Sequence, residues 1–424
     1  MLIPETKLKR IVIIGGGFGG IELAKRLGKK RFQVVLLDKN NFHTFQPLLY
    51  QVATGGLEPD AIAYPIRKIF SGRKNFIFRM AEAIEVKIKE HILVTSIGEI
   101  YFDMLVIATG STTNYFGNHE IQNNSVSLKS VTNALDMRSL LLQNFEKMLN
   151  EDNESEKSKY LNIVIAGGGP TGVETAGAFA ELKKHVLPND YPELDFSRVN
   201  IHLVEAGDKT LGVMSSQASR KSKEFLLKMG VKVWLKTKVD SCTADQVVLS
   251  DGRKIDCNIF IWTAGVMGKT IKGIPEDRII KGNRVLVDVY NRLTGFEDIF
   301  VIGDVAAMTD DDGKPEIHPM LAPVAIQQAK NLAYNLNGKN NSWRKFSYRD
   351  LGSMATIGRN KAVADFKIIK LQGLFAWFIW MFVHLMSIVG FRNRLIVFIN
   401  WLWNYVSYDR AIRLIIRPYS KKDG

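Results

Sequence analysis

Residues 11–24 read IVIIGGGFGGIELA, and residues 163–176 read IVIAGGGPTGVETA. Nine of these fourteen positions are identical at an offset of 152 residues, so the chain contains two structurally similar units. Each copy is a short β-branched apolar run, a Gly-x-Gly-x-x-Gly, and then a helical pattern. A buried parallel strand that runs into such a turn has a specific use for each glycine. The first permits the tight turn, the second lets backbone approach a pyrophosphate, and the third lets the helix pack close to the strand. The helix N-terminus then presents free N–H groups to phosphate. The glycines are Gly15, Gly17 and Gly20 in the first copy, and Gly167, Gly169 and Gly172 in the second.

An acid ends the next apolar run of each unit. Asp38 closes FQVVLLD, and Glu205 closes VNIHLVE. Acids so placed accept hydrogen bonds from ribose hydroxyls. Glu205 would repel a 2′-phosphate, and Ala206, Gly207 and Asp208 follow it with no arginine, so NAD(H) is expected over NADP(H). An insertion containing YPELDFS lengthens the spacing to Glu205.

Outward from the glycine motifs, MLVIATGS (residues 104–111) and IFIWTAGV (259–266) are buried strands ending in small-residue turns. The run NRLTGFEDIFVIGDVA (291–306) ends its strand in Gly303-Asp304, a placement suited to an acid touching a polyhydroxyl chain. The charged stretch NEDNESEKSKY (150–160) reads as a surface loop. This order predicts an α/β protein of two Rossmann-like dinucleotide-binding domains, the second inserted within the first. The expected boundaries are 1–115 with 285–345, then 116–284, then a C-terminal region over 346–424.

Bulk composition sets limits. The 424 residues are 46% hydrophobic, enough for two or three domains with real cores. The net charge of +14 suits anionic lipid or nucleic acid without choosing between them. Cys242 and Cys257 form no Cys-x-x-Cys pair, which argues against a redox disulfide or a zinc site. No histidine spacing suggests a metal. The N-terminus lacks a signal-peptide pattern, since a buried-strand pattern starts within about a dozen residues.

The sequence resembles the two-dinucleotide-binding-domain flavoproteins over residues 9–335, on both glycine motifs, both small-residue turns and IFVIGDVA. Within them it is similar to the type II, non-proton-pumping NADH:quinone oxidoreductases. That narrower likeness rests on FHTFQPLLYQVATGGL (42–57), GGGPTGVETAG, YPEL before IHLVEAG, APVAIQQAK (322–330) and the apolar tail. The resemblance implies FAD on Gly15, Gly17, Phe18, Gly20, Asp38, Thr109, Gly110, Gly303 and Asp304. It implies NADH on Gly167, Gly169, Gly172 and Glu205, with Gly265 near the nicotinamide. The resemblance implies that Glu174, the glutamate of PTGVE, faces the cleft between nicotinamide and flavin with a direct role towards NADH or in the redox chemistry, although a carboxylate near a helix N-terminus is also favoured by the macrodipole alone. Glu22 holds the equivalent place in the first copy. Relatives often carry Ala-Gln-x-Ala-x-Gln beside the flavin. Here Pro323 replaces the first glutamine and Gln327 keeps the second, so Gln327, Gln328 and Pro47 are the expected quinone contacts, with Leu48 and Leu49 as an apolar wall. His43, His318 and His384 read more simply as core or surface histidines than as proton donors.

The tail has two parts. Residues 374–391 form an eighteen-residue stretch whose polar members are His384 and Ser387, long enough to be a transmembrane candidate. Residues 395–416 place Asn400, Asn404 and Ser407 at helical spacing on a tryptophan-rich helix whose end carries Arg410, Arg413 and Arg417, a pattern for a helix in the headgroup plane. The resemblance favours monotopic attachment to the cytoplasmic face of the inner membrane, contact with anionic lipid, and a homodimer. The basic tail then makes nucleic-acid binding unnecessary. The expected reaction passes hydride from NADH to FAD and two electrons to a membrane quinone, menaquinone or ubiquinone, without proton pumping. Competing readings are a sulfide:quinone or soluble disulfide or ferredoxin reductase, and a non-enzymatic redox sensor.

Overall fold

The computed structural model describes residues 1–310, 314–338, 342–408, 413–415 and 418–420. The chain folds as two compact units, each discontinuous in sequence. The first comprises Met1–His43, Tyr64–Thr112 and Val266–Asp350, and the second Thr44–Ala63, Thr113–Gly265 and Leu351–Gly424. The C-terminal region and a short early segment therefore belong with the second unit, whereas the sequence suggests a separate C-terminal region.

The centre of the first unit is a five-stranded parallel sheet in the spatial order Ile299–Val301, Met104–Ile107, Lys9–Ile14, Phe32–Asp38, Phe76–Met80. Its strands are near-continuous apolar runs because both faces are covered. One face packs against the helices Phe18–Arg26 and Ala322–Asn337 through Ile21, Leu23, Leu332 and Leu336. The other packs against strands of two further sheets, an antiparallel one that supplies Val86 and Leu93 and a mixed one that supplies Val285 and Met308.

The second unit repeats this plan. Its parallel sheet runs Val126–Ser127, Ile259–Trp262, Asn162–Ala166, Asn200–Val204, Val231–Trp234. In both sheets the glycine-motif strand is central, the small-residue-turn strand lies on one side, and the acid-bearing strand lies on the other. The stretch read as a surface loop contains a helix, Glu154–Tyr160. Asn153 caps it by accepting from Ser155 N–H at 2.9 Å, acids occupy its first turn, and Lys157 and Lys159 sit in its last. Those local helix signals outweigh the polar composition. The YPEL insertion packs on the Val131–Leu149 helix, where Tyr191 donates to Glu146 at 2.9 Å and Phe196 meets the Phe145 ring edge-on.

A three-stranded antiparallel sheet, Ser353–Gly358, Lys361–Asp365 and Lys370–Gln372, precedes the tail helices. The helix Pro170–His185 lies so close to its first strand that a Cβ on Gly177 would sit 1.7 Å from the Ile357 carbonyl oxygen. The apolar tail stretch is divided into Leu374–Ser387 and Phe391–Ser407. The first of these has 14 residues, about 21 Å of helix against the roughly 30 Å of a bilayer core. No helix among the described residues is long and apolar enough to cross a membrane.

Two asparagines of the second tail helix turn inward. Asn393 donates to the carbonyls of Asp60, Ala61 and Ala63 at 2.8, 3.1 and 3.1 Å. Asn404 donates to Gly56 O at 3.2 Å, and Trp401 Nε1 to Gln51 Oε1 at 2.8 Å. Phe391, Leu402, Trp403 and Val406 are left exposed on the other side. Arg410, Arg417 and the far end of the segment at Ile416 lie outside the described residues, and Arg413 pairs with Asp190 at 2.5 Å.

Candidate functional site

Each parallel sheet ends in a glycine cradle at the carboxyl edge of its strands. Gly15 and Gly167 have φ of +110° and +109°, and a Cβ would sit 2.3 Å from Ala108 O in the first case and 2.7 Å from the Ala264 backbone in the second. The third glycines are equally constrained, since a Cβ on Gly20 would lie 1.9 Å from Gly15 O, and one on Gly172 would lie 1.8 Å from Gly167 O. The middle glycines differ. Nothing lies within 4 Å of a Cβ built on Gly17 or Gly169. Each of these two is the N-cap of its helix, with no side-chain cap and no acid in the first turn. Free N–H groups and open space at a helix N-terminus fit a pyrophosphate.

The two acids hold the cradles in the same way. Asp38 Oδ2 accepts from Gly16 N–H at 2.7 Å, and Glu205 Oε2 accepts from Gly168 N–H at 2.5 Å. The other oxygen of each binds a backbone N–H two residues on, from Asn40 at 2.7 Å and Gly207 at 2.6 Å. His43 is a structural part of the first cradle. It is buried, its Nδ1 lies 2.9 Å from Gly16 O, and its ring meets Phe18 edge-on at 5.1 Å. Burial lowers its pKa, which keeps it neutral and unsuited to donate a proton.

Other expected residues of the first unit cluster at the same sheet edge. Gly110 and Gly303 have positive φ, +70° and +79°. Thr109 donates to Lys269 O, and Ser111 Oγ donates to Asp304 Oδ2 at 2.5 Å. Ser111 was missed in the sequence, although it directly follows the Ala-Thr-Gly turn. Gln328 is 1% exposed and its Oε1 accepts from Gly303 N–H at 2.7 Å, so it fixes the Gly-Asp turn. Gln327 exchanges two hydrogen bonds with the Arg349 backbone, at 2.9 and 3.0 Å. His318 is buried and packs on Phe346. In the second unit Gly265 lies beneath Phe116, whose ring would be 2.8 Å from a Cβ there. Cys242 and Cys257 are buried in that unit's core.

The equivalent glutamates have opposite fates. Glu22 forms a surface ion pair with Arg26 at 2.6 Å. Glu174 is buried at the wall of a cavity of about 830 Å³, counting its open mouth. Every lining residue belongs to the second unit. Glu174, Ala178, Glu181 and His185 form one stripe of the Pro170–His185 helix, at spacings of four, three and four. Tyr50, Gln51 and Thr54 line the cavity from the early segment, where Leu48 and Leu49 are core residues and Pro47 is outside the wall. Trp377, Trp380, Trp401 and Tyr405 line it from the tail helices.

Burial pushes the Glu174 carboxyl up to about 8, against a long hydrogen bond from Thr356 N–H at 3.4 Å and a smaller pull from the Trp380 indole. Trp380 Nε1 is buried and lacks hydrogen-bonding geometry to any described group. At the other end of the stripe the Arg359 guanidinium stacks over the rings of Tyr405 and Tyr408 at 3.9 and 4.1 Å, and its backbone N–H donates to Glu181. His384 stacks on Trp380 at 4.1 Å and bonds Trp380 O at 2.7 Å through Nδ1; burial lowers its pKa to about 4. The aromatic wall was not anticipated from sequence. Its signal was the helical spacing of Trp377 with Trp380, and of Trp401 with Asn404, Tyr405 and Tyr408. The cavity offers an apolar slot for a flat ring, closed by a neutral acid and an unsatisfied indole N–H.

Residues 9–329 match the pyridine nucleotide-disulphide oxidoreductase profile, and residues 351–407 match the NDH2 C-terminal domain. The type II NADH:quinone oxidoreductase Ndh of Mycobacterium tuberculosis is 31% identical over 95% of this chain and 89% of its own length. The type II NADH:quinone oxidoreductase of Haemophilus influenzae is 30% identical over 89% of this chain and 93% of its own. Among solved structures, NDH2 from Plasmodium falciparum in complex with NADH has the same fold, with a TM-score of 0.88 at 21% identity over 97% of this chain and all of that one.

Proposed function

We infer the chemistry of the site from one premise: the chain belongs to the type II NADH:quinone oxidoreductase family. It is an FAD-dependent enzyme that oxidises NADH and reduces a quinone. When bound, FAD supplies the two-electron relay between NADH and quinone.

The glycine cradle of the first unit, with Asp38 and Asp304, is the proposed FAD site. The cradle of the second, with Glu205 and Gly265, is the proposed NADH site. The residues fit these groups because the middle glycines leave open space above uncapped helix N-termini. The quinone headgroup is assigned to the cavity lined by Glu174. That assignment moves the contacts from Pro47 and Gln328 to Tyr50, Gln51, Trp377 and Trp380, and keeps Gln327 on the family motif alone. Turning a quinone into a quinol takes up two electrons and two protons. NADH delivers the electrons with one proton as hydride, and solvent delivers the second. A carboxyl that keeps its proton up to about pH 8 can hold that second proton at the cavity wall, and the Trp380 N–H can donate to a quinone oxygen. The single observation carrying this reading is the buried, neutral Glu174 at an aromatic-walled cavity.

The exposed apolar sides of the two tail helices are proposed to rest in one leaflet on the cytoplasmic side, with Phe375, Phe382, Phe391 and Trp403 as anchors and anionic lipid as partner. The dimer is proposed on family likeness alone. The test of the reaction is anaerobic absorbance of the FAD-loaded protein. One equivalent of NADH should bleach the flavin band, and a short-chain quinone should restore it fully. Bleaching without recovery on quinone would contradict the assignment.

A further inference from the structure

The three-stranded sheet before the tail helices carries a tight hairpin whose tip has no part in the chemistry above. Its second strand, Lys361–Asp365, turns into its third, Lys370–Gln372, through Phe366, Lys367, Ile368 and Ile369. The turn is braced from within and from its base. Phe366 N–H donates to Ile369 O at 2.9 Å, and Phe366 packs on the cluster of Ala362, Ala364 and Ala376. Asp365 accepts from Ser215 N–H at 2.6 Å and from Ser215 Oγ at 2.9 Å. This turn holds Ile368 92% and Ile369 56% exposed, between the exposed Lys367 and Lys370. Neither lysine has an acid partner among the described residues.

Two isoleucines held away from the core by a braced turn forgo the burial that an apolar phase would give them. The third strand runs into the helix Leu374–Ser387 through Gly373, so Ile369 lies within about 17 Å of Leu374, five residues on. The exposed apolar series therefore continues from Ile368 and Ile369 to Leu374, Phe375 and Phe378 on that helix. The flanking lysines narrow the choice of occupant. A two-fold contact between copies through this tip would bring four lysines together, and like charges across an interface are costly. Anionic headgroups instead complement the ammonium groups, whose flexible stems let the isoleucines sit deeper than the charges. We propose that the hairpin tip at residues 367–370 inserts its two isoleucines into an anionic lipid leaflet, as a membrane contact outside the tail helices. It rests on the leaflet contact inferred for those helices and adds a separate element to it. The same sheet supplies Thr356, Ile357 and Gly358 to the cavity wall, so the tip ties that wall to the lipid surface.

The experiment uses the full-length, FAD-loaded protein and sedimentation with vesicles of phosphatidylcholine alone or mixed with phosphatidylglycerol. The double variant I368S/I369S should bind both kinds of vesicle about tenfold more weakly than wild type. The double variant K367Q/K370Q should lose about tenfold on the phosphatidylglycerol vesicles and little on phosphatidylcholine. Flavin content and turnover with a water-soluble quinone should match wild type in both, which separates lost binding from lost folding. A direct reading comes from a polarity-sensitive fluorophore on I368C, since Cys242 and Cys257 are buried. Its emission should shift to the blue on vesicles and be quenched by a nitroxide on the lipid acyl chain. Wild-type affinity for vesicles in I368S/I369S, or a label left unquenched on bound vesicles, would overturn the hairpin contact while leaving that of the tail helices in place. A changed oligomeric mass in I368S/I369S with unchanged vesicle binding would assign the tip to a second copy and overturn it too. Failure of the wild type itself to bind vesicles would overturn the leaflet reading and this contact with it.

Discussion

Glu22 and Glu174 occupy the same place in two copies of one motif, and their surroundings give them opposite chemistry. Glu22 faces solvent and pairs with Arg26, while Glu174 is enclosed by the tail helices and the Thr356 strand. Below about pH 4.5 the Glu174 carboxyl is protonated in folded and unfolded chains alike. Between about 4.5 and 8 the unfolded chain loses that proton while the folded chain keeps it, so stability falls as pH rises through the window. Glu174→Gln removes the slope. Its unfolding free energy relative to wild type should grow by up to about 4 kcal/mol between pH 4.5 and 8, measured by urea unfolding at several pH values. An unchanged pH slope would refute the raised pKa. Glu205 yields a second expectation. Glu205→Ala should raise KM for NADH about tenfold and narrow the preference over NADPH, since it removes both the ribose acceptor and the repulsion of a 2′-phosphate. Steady-state kinetics with both nucleotides reads this directly.

The glycines and their acids were legible from sequence because backbone geometry dictates them. A turn at φ near +110° with a carbonyl 2.3 Å from the Cβ position leaves no choice at Gly15. The role of Gln328 was not legible. One position along a helix decides whether an amide faces a ligand or the Gly303 N–H, and sequence spacing does not resolve a single position.

At the scale of elements, the glycine cradles separate folding from binding. Gly20→Ala drives a Cβ into the Gly15 carbonyl and should yield little folded protein, while Gly17→Ala meets no protein atom. Gly17→Ala should therefore fold with near wild-type circular dichroism and lose FAD affinity by about tenfold or more, because its methyl enters the space left for pyrophosphate. If both variants kept their flavin, the cradle would not be the site. The cavity was hidden from sequence for a related reason. Its wall comes from residues 50–56, the Pro170–His185 helix, the Thr356 strand and two tail helices, which periodicity within any one segment cannot bring together. The tail stretch looked long enough to span a bilayer because its apolar residues run through 388–390, where the backbone leaves the helix and Gly390 takes a φ of +89°. Composition records the apolar run, and the break depends on that one glycine.

For the molecule as a whole, the proposed contact with anionic lipid is supported by the net charge of +14 and by the exposed aromatic residues of the tail. Phe375 and Phe382 are 75% and 66% exposed, which water alone does not favour. Changing both to serine should weaken binding to vesicles on the order of 100-fold in a sedimentation assay, while turnover with a water-soluble quinone stays near wild type. Equal vesicle binding would rule out this face as the lipid contact.

The central claim is that the cavity beside Glu174 is where the quinone is reduced. Rapid mixing of anaerobic Glu174→Gln and wild type, first with NADH and then with a short-chain quinone, tests it most directly. The account expects flavin bleaching by NADH within about twofold of wild type, and recovery on quinone slowed by at least about tenfold. Wild-type recovery should itself slow as pH passes about 8, where Glu174 loses its proton. Recovery at the wild-type rate in Glu174→Gln, with bleaching slowed instead, would place this residue on the NADH side and contradict the assignment of the cavity to quinone.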